Sequence, residues 1–209
     1  MNLGKYIYKD DNLYDENGNA VMMMWEKEWM EESADIVCKN GGDILNVGHG
    51  LGLVDTFINQ HNIKSHTIVE SHEDVLKYMR DNGWYEKSIV VEGRWQHVIN
   101  DLPTFDGIYF DTFAEYGKDF VNGFIRKLPS LLNKGGIFTQ WVNTNDKNPH
   151  LEEFCVNNNL ELTYKEYTVN VPKEQHVSGG EYISHKLSQV LLPIIKNLND
   201  PIKIKKSII

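Results

Sequence analysis

Gly48-His49-Gly50-Leu51-Gly52 follows the β-branched and apolar run DILNV and precedes an amphipathic stretch, LVDTFINQHNI. Glycines at a strand-to-helix junction supply positive φ angles and remove side-chain bulk, so unpaired main-chain N–H groups at the helix start can face a ligand. The spacing departs from G-x-G-x-x-G, with Leu53 at the place of the third glycine, and this counts against a dinucleotide. No Gly-Lys-Ser/Thr follows, which excludes a phosphate-binding P-loop. A tight turn without a ligand is the other reading of the loop. About twenty residues further on, Glu70 closes the run HTIVE, where a carboxylate can accept hydrogen bonds from ribose hydroxyls. A solvated strand-end charge is its alternative. A third run ends at Glu92-Gly93-Arg94-Trp95 and can lay main chain and an indole beside a purine ring, unless Trp95 is ordinary core. Glycine loop plus downstream acid describe a nucleoside site.

Two further carboxylates suit a cation. Asp111 ends the apolar run FDGIYF, and burying it there is costly unless something positive pairs with it. A turn or helix-capping aspartate is the alternative. Glu26 lies between Trp25 and Trp29 amid Met22, Met23, Met24 and Met30, with a solvated glutamate as the default reading. His49, flanked by glycines, reads as solvent-facing and receives no role. His61, His66, His72, His97, His150, His176 and His185 form no i,i+4 pair with a carboxylate in ligand geometry, so the chemistry is expected to need no metal. Cys38 and Cys155 are too few for a disulfide framework and read as buried, reduced thiols.

The elements that must position these residues follow from periodicity. From Asp43 onward, short apolar runs (DILNVG, SHTIVE, SIVVEG, FDGIYFD, GGIFTQWV) alternate with amphipathic stretches. Such βαβ order needs right-handed crossovers and gives a mostly parallel sheet with helices on both faces. Residues 160–168 and 181–188 add two strand-like runs, expected as a terminal antiparallel pair, making seven strands. The expected fold is thus α/β, a Rossmann-like doubly wound sheet preceded by a helical N-terminal arm. At 209 residues one domain is expected: an arm or lid over 1–42, a core over 43–192 and a tail over 193–209. A formal charge of −9 argues against a nucleic-acid partner. No apolar run approaches the roughly 18 residues of a membrane span, and the polar start lacks a secretory signal, so a cytoplasmic location without a membrane partner is expected. Monomer and homodimer stay equally open.

Taken together these residues resemble the class I S-adenosylmethionine-dependent methyltransferases, and within them the guanidinoacetate N-methyltransferase family. GNAVMMMWEKEWM is similar to that family's G-x-P-V-M-x-x-W-E-x-x-Y-M, with Gly18, Val21, Met22, Trp25, Glu26 and Met30 in register and Trp29 in place of tyrosine. The resemblance continues through GGDILNVGHGLGL, HTIVES, VVEGRWQHV, FDGIYFDTF and LLNKGGIFTQW, and more loosely through EYISHKLSQVLLP, covering roughly residues 18–192. It implies that S-adenosylmethionine is bound by Met22, Trp25, Met30, Gly48, Gly50, Glu70, Ser71, Gly93, Arg94, Trp95 and Asp111. It also implies that Glu26 and Asp111 hold the guanidinium of a small substrate; since the nitrogen must lose a proton, Asp111 on the cofactor side is expected to accept it while Glu26 stabilises the remaining charge. Two forked carboxylates match one planar guanidinium. Asn46 departs from the acidic residue usual before the first loop glycine, and QWVNTNDKNPH does not match the segment that grips the substrate's carboxylate, so guanidinoacetate-like and arginine-like acceptors both remain. A methyltransferase for another small molecule or a peptide arginine, and a non-catalytic nucleoside-binding module, are the competing readings. A dehydrogenase ranks last.

Overall fold

The computed structural model describes residues 4–112, 123–170 and 189–200. The alternating pattern of YIYKDDNLYD folds as a hairpin of β1 (Tyr6–Lys9) and β2 (Asn12–Asp15), with Lys9 opposite Asn12. Asp10 and Asp11 both take positive φ, giving the two-residue turn whose twist suits a hairpin and which aspartate tolerates. β3 (Ala20–Met22) completes a small antiparallel sheet, and a 3₁₀ turn (Met24–Glu26) leads into α1 (Lys27–Val37). The expected helix is present and carries Trp29 and Met30, but a small sheet precedes it in the arm. The period-two pattern of the first residues makes strands, and α-helix begins only at Lys27.

The main sheet holds β4 (Asp43–Val47), β5 (Ser65–Glu70), β6 (Ile89–Glu92), β7 (Phe105–Phe110), β8 (Leu132–Gln140), β9 (Leu160–Thr168) and β10 (Gln189–Asn197) in the order β6-β5-β4-β7-β8-β10-β9. Pairings among the first five are parallel, and β10 runs antiparallel to both β8 and β9. The doubly wound, seven-stranded sheet is the one expected, with one shift at its end. The last strand lies at 189–197, across the boundary expected between core and tail, while residues 181–188, the run expected as that strand, and the basic stretch 201–209 lie outside the described residues.

Helices cover both faces. α1, α2 (Leu53–Ile58) and α3 (Glu73–Asp81) pack Trp29, Ala34, Val54, Ile58 and Val75 against Ile44 and Ile68. On the other face α4 (Trp95–Val98), α5 (Leu128–Leu131) and α6 (Pro149–Asn157) pack Trp95, Leu128, Leu151 and Cys155 with Leu45, Ile108 and Phe138. The alternation of strand side chains sends odd and even residues of β4 into the two different cores. Cys38 and Cys155 are both free and buried, and burial pushes the Cys38 thiol up to about 12. No described helix is long and apolar enough to cross a membrane.

Candidate active site

The sheet order reverses between β4 and β7, and the crevice outside the carboxyl ends of such strands is where open α/β folds bind ligands. Here the ladder extends past the strand ends. Gly93 N donates to Glu70 O (2.7 Å), Gly48 N to Val69 O (2.9 Å), Asp111 N to Val47 O (2.9 Å) and Trp141 N to Phe110 O (3.0 Å). These bonds set Gly93, Gly48, Asp111 and Trp141 along one edge. Gly48 is required there twice over: its φ is 95°, and a Cβ on it would lie 1.8 Å from the Asp111 carbonyl oxygen.

A cleft of about 650 Å³, open to solvent, runs along this edge. Met22, Gly48, Gly50, Glu70, Ser71, Gly93, Arg94, Trp95 and Asp111 line it, together with Tyr6 and His72. Sequence reasoning named the first nine of these. Trp25 and Met30 are not among the lining residues. Met30 is fully buried beneath the Tyr109 hydroxyl, which donates to its sulfur at 3.4 Å, and Trp25 packs against the core on the α1 side. Trp95 does both things its alternatives described. One side borders the cleft, and the indole packs edge-on against Phe110 and Phe124 at 5.9 and 5.5 Å.

Glu70 is buried, and its carboxylate is held by main-chain donors: Ser71 N (2.6 Å) and His72 N (2.7 Å) to Oε1, His49 N (2.9 Å) to Oε2. A carboxylate offers about four lone-pair sites, so Oε2 keeps one for a further donor. This chemistry fits the hydroxyls of a ribose. The N-terminal sheet covers the same edge. Tyr8 donates its hydroxyl to Gly50 O (3.2 Å), Leu51 N meets Met22 Sδ at 3.2 Å, and the Tyr6 ring stacks on His72 at 3.6 Å. Burial, with Glu70 nearby, pushes both tyrosine hydroxyls upward and keeps them neutral. Neither tyrosine carries an assigned role at the level of sequence. The signal that places them is the hairpin pattern, not the tyrosines themselves.

The two other carboxylates lie deeper. Glu26 is fully buried, with Oε1 accepting from Met23 N (2.7 Å) and Oε2 from Trp141 Nε1 (2.8 Å). It is therefore not the solvated residue that a glutamate is by default. Asp111 lines the cleft, and its Oδ2 is buried with no hydrogen-bond partner among the described residues. Burial first, then the charge of Glu26, then that of Asp55, hold its carboxyl well above the usual carboxylate range. The solvent-facing reading of His49 is corrected. Its side chain has no exposure and turns beneath the loop, because Asp55 supplies a buried acceptor there (Nδ1 to Oδ2, 2.7 Å). Among the described residues, no group of three or more His, Cys, Asp and Glu is placed to hold a metal ion.

Comparison with known proteins decides the family. The profile of guanidinoacetate N-methyltransferase matches residues 4–169. The chain belongs to the guanidinoacetate N-methyltransferase family. Membership makes its class that of the S-adenosylmethionine-dependent methyltransferases. Relatives include protein arginine N-methyltransferase 2 of Aspergillus fumigatus, 43% identical over 136 residues, covering 62% of this chain and 32% of the relative. The protein of the same name from Yarrowia lipolytica is 36% identical over 181 residues, covering 80% of this chain and 38% of the relative. The chain thus spans about a third of the length of the curated relatives it matches. Among solved structures, the N-methyltransferase NodS from Bradyrhizobium japonicum superposes with a TM-score of 0.60 at 12% identity, covering 84% of this chain and 97% of that one. At that identity it supports the fold of this family member and nothing finer.

Proposed function

We propose that the protein transfers a methyl group from S-adenosylmethionine to a nitrogen of a guanidino group, with Glu26 and Asp111 holding the guanidinium and Asp111 accepting the proton. The observation that carries this reading is the state of Asp111. It is a carboxyl at the cleft with an oxygen that has no partner among the described residues, raised by burial and by the Glu26 charge. A buried carboxyl raised by a neighbouring carboxylate charge gains from a cation, and a planar guanidinium offers forked donors to more than one carboxylate. The cofactor supplies an electrophilic methyl on a sulfonium. The chain's own residues do the rest: Glu70 and the glycine loop fix the nucleoside, and the carboxylates orient the acceptor nitrogen about 3–3.5 Å from the methyl. As the N–C bond forms, that nitrogen releases its proton to Asp111, whose raised affinity for protons suits a base, while Glu26 keeps its charge and balances the methylated guanidinium. The name of the relatives favours an arginine side chain as acceptor, and the name of the family favours a small guanidino acid.

Incubation with S-adenosylmethionine and a panel of guanidinoacetate, free arginine and an arginine peptide, followed by mass spectrometry, tests the reading. Methylated product from one member with native protein, and none with Asp111→Asn, is the expected result. Failure to methylate any of the three, in protein that binds S-adenosylhomocysteine, overturns the guanidino assignment and favours another acceptor.

A further inference from the structure

Beneath the glycine loop lies a polar cluster that the proposed reaction leaves unused. Asp55, in the first turn of α2, has no exposure. A carboxylate so placed stays ionised only if the fold supplies partners. Its Oδ2 faces His49 Nδ1 at 2.7 Å, and its Oδ1 faces Asn46 Nδ2 at 2.8 Å and His66 Nε2 at 3.0 Å. Burial pushes Asp55 up, but the charge and hydrogen bonds of His49 and His66 outweigh it and bring the group down to about 2. An ionised carboxylate only accepts, so His49 carries its hydrogen on Nδ1. These partners come from β4, the loop and β5, the elements that carry the nucleoside site.

His49 is fixed at its main chain as well. Its N–H donates to Glu70 Oε2 (2.9 Å), and its carbonyl accepts from Gly52 N (2.7 Å). Gly52 makes room for the inward ring: a Cβ there would lie 2.7 Å from His49 Cε1 and 2.8 Å from the Trp84 indole. We propose that Asp55 and His49 are positioning residues for the cofactor: the buried carboxylate holds the imidazole inward, which aims the His49 N–H at Glu70 and orients that carboxylate toward the ribose. The inference rests on the cleft being an S-adenosylmethionine site. It reaches beyond that reading by assigning the loop's histidine and an aspartate that never meets the cleft.

Calorimetric titration of S-adenosylhomocysteine into native protein, His49→Leu, His49→Asn and Asp55→Asn provides the test. Leucine fills the space without a donor, whereas an asparagine amide places an N–H near the Nδ1 position. The expected result is Kd weakened about tenfold or more in His49→Leu and Asp55→Asn, the worth of one charge-assisted hydrogen bond, with recovery in His49→Asn. Binding stoichiometry stays at that of native protein, and in His49→Leu kcat at saturating cofactor is unchanged while the cofactor KM rises. A purely structural role would instead lower the stoichiometry, and that outcome overturns the proposal. Native-like Kd in His49→Leu, or His49→Asn as weak as His49→Leu, overturns it too. If Asp55→Asn does not fold, the His49 pair still decides. Native protein that fails to bind S-adenosylhomocysteine sinks the cofactor reading itself, whereas tight native binding with equally tight variants sinks only the positioning role.

Discussion

Asp55 and Asp111 are the same side chain in two buried settings, and the fold treats them oppositely. Asp55 meets donors on Asn46 and His49, lies 3.0 Å from His66 Nε2, and is drawn down to about 2. Asp111 has an oxygen without a partner among the described residues and is held well above the usual carboxylate range by burial and by Glu26. Burial penalises both, so the donors decide the sign. A carboxylate that its own chain satisfies is part of the architecture, and one left unsatisfied at a cleft is built for something that arrives later.

Substitutions can break or sharpen that contrast. The largest effect is expected from Asp111→Asn, which should cut single-turnover methyl transfer by about a thousandfold, read by product mass spectrometry. The same variant should melt at a higher temperature than native protein at pH 7. An acid whose folded pKa is raised loses its stability contribution as pH rises through that value, and asparagine carries no such loss. Asp55→Ala should do the reverse, lowering stability by about 3 kcal/mol in chemical denaturation, because it strands buried donors of Asn46 and His49. An Asp55→Ala protein as stable as native would erase the comparison. In acid, the advantage of native protein over Asp55→Asn should be full above the ordinary carboxylate range and shrink by about 2 kcal/mol as pH falls toward 2, since a depressed folded pKa contributes stability only while the group is ionised. The subtlest change belongs to Glu26→Gln. Removing that charge should move the acidic limb of the pH–rate profile to lower pH, and an unmoved limb would mean that Asp111 is not the titrating base.

Periodicity made the sheet legible: each apolar run from Ile44 to Phe110 became a parallel strand, and β4, β5 and β7, buried on both faces, need continuous apolar sequence. The strands of the arm went unread because methionines and tryptophans dominate residues 22–30, while the signal for strands lay earlier, in tyrosines alternating around Asp10-Asp11. Gly48, Gly50, Glu70 and Asp111 could be placed at the cleft because strand ends fix where the chain emerges. His49 could not be read from its flanking glycines. Its orientation depends on Asp55, six residues on, and on His66 from the next strand, and such encounters exist only after the layers close. Glu26 followed the same logic, since Trp141, which holds it, is far along the chain.

β10 is the last described strand in sequence yet lies between β8 and β9 in the sheet. A chain emerging from the ribosome therefore exposes two open edges until residues 189–197 are made, with β8 and β9 both awaiting the strand that separates them. Those edges are templates for pairing with other chains, so aggregation during synthesis should concentrate in this interval and be relieved by chaperones that shield strands. Shortening the protein before Gln189 would not trim a border. It would take a stave from the middle, leaving β9 with no neighbour among the described strands.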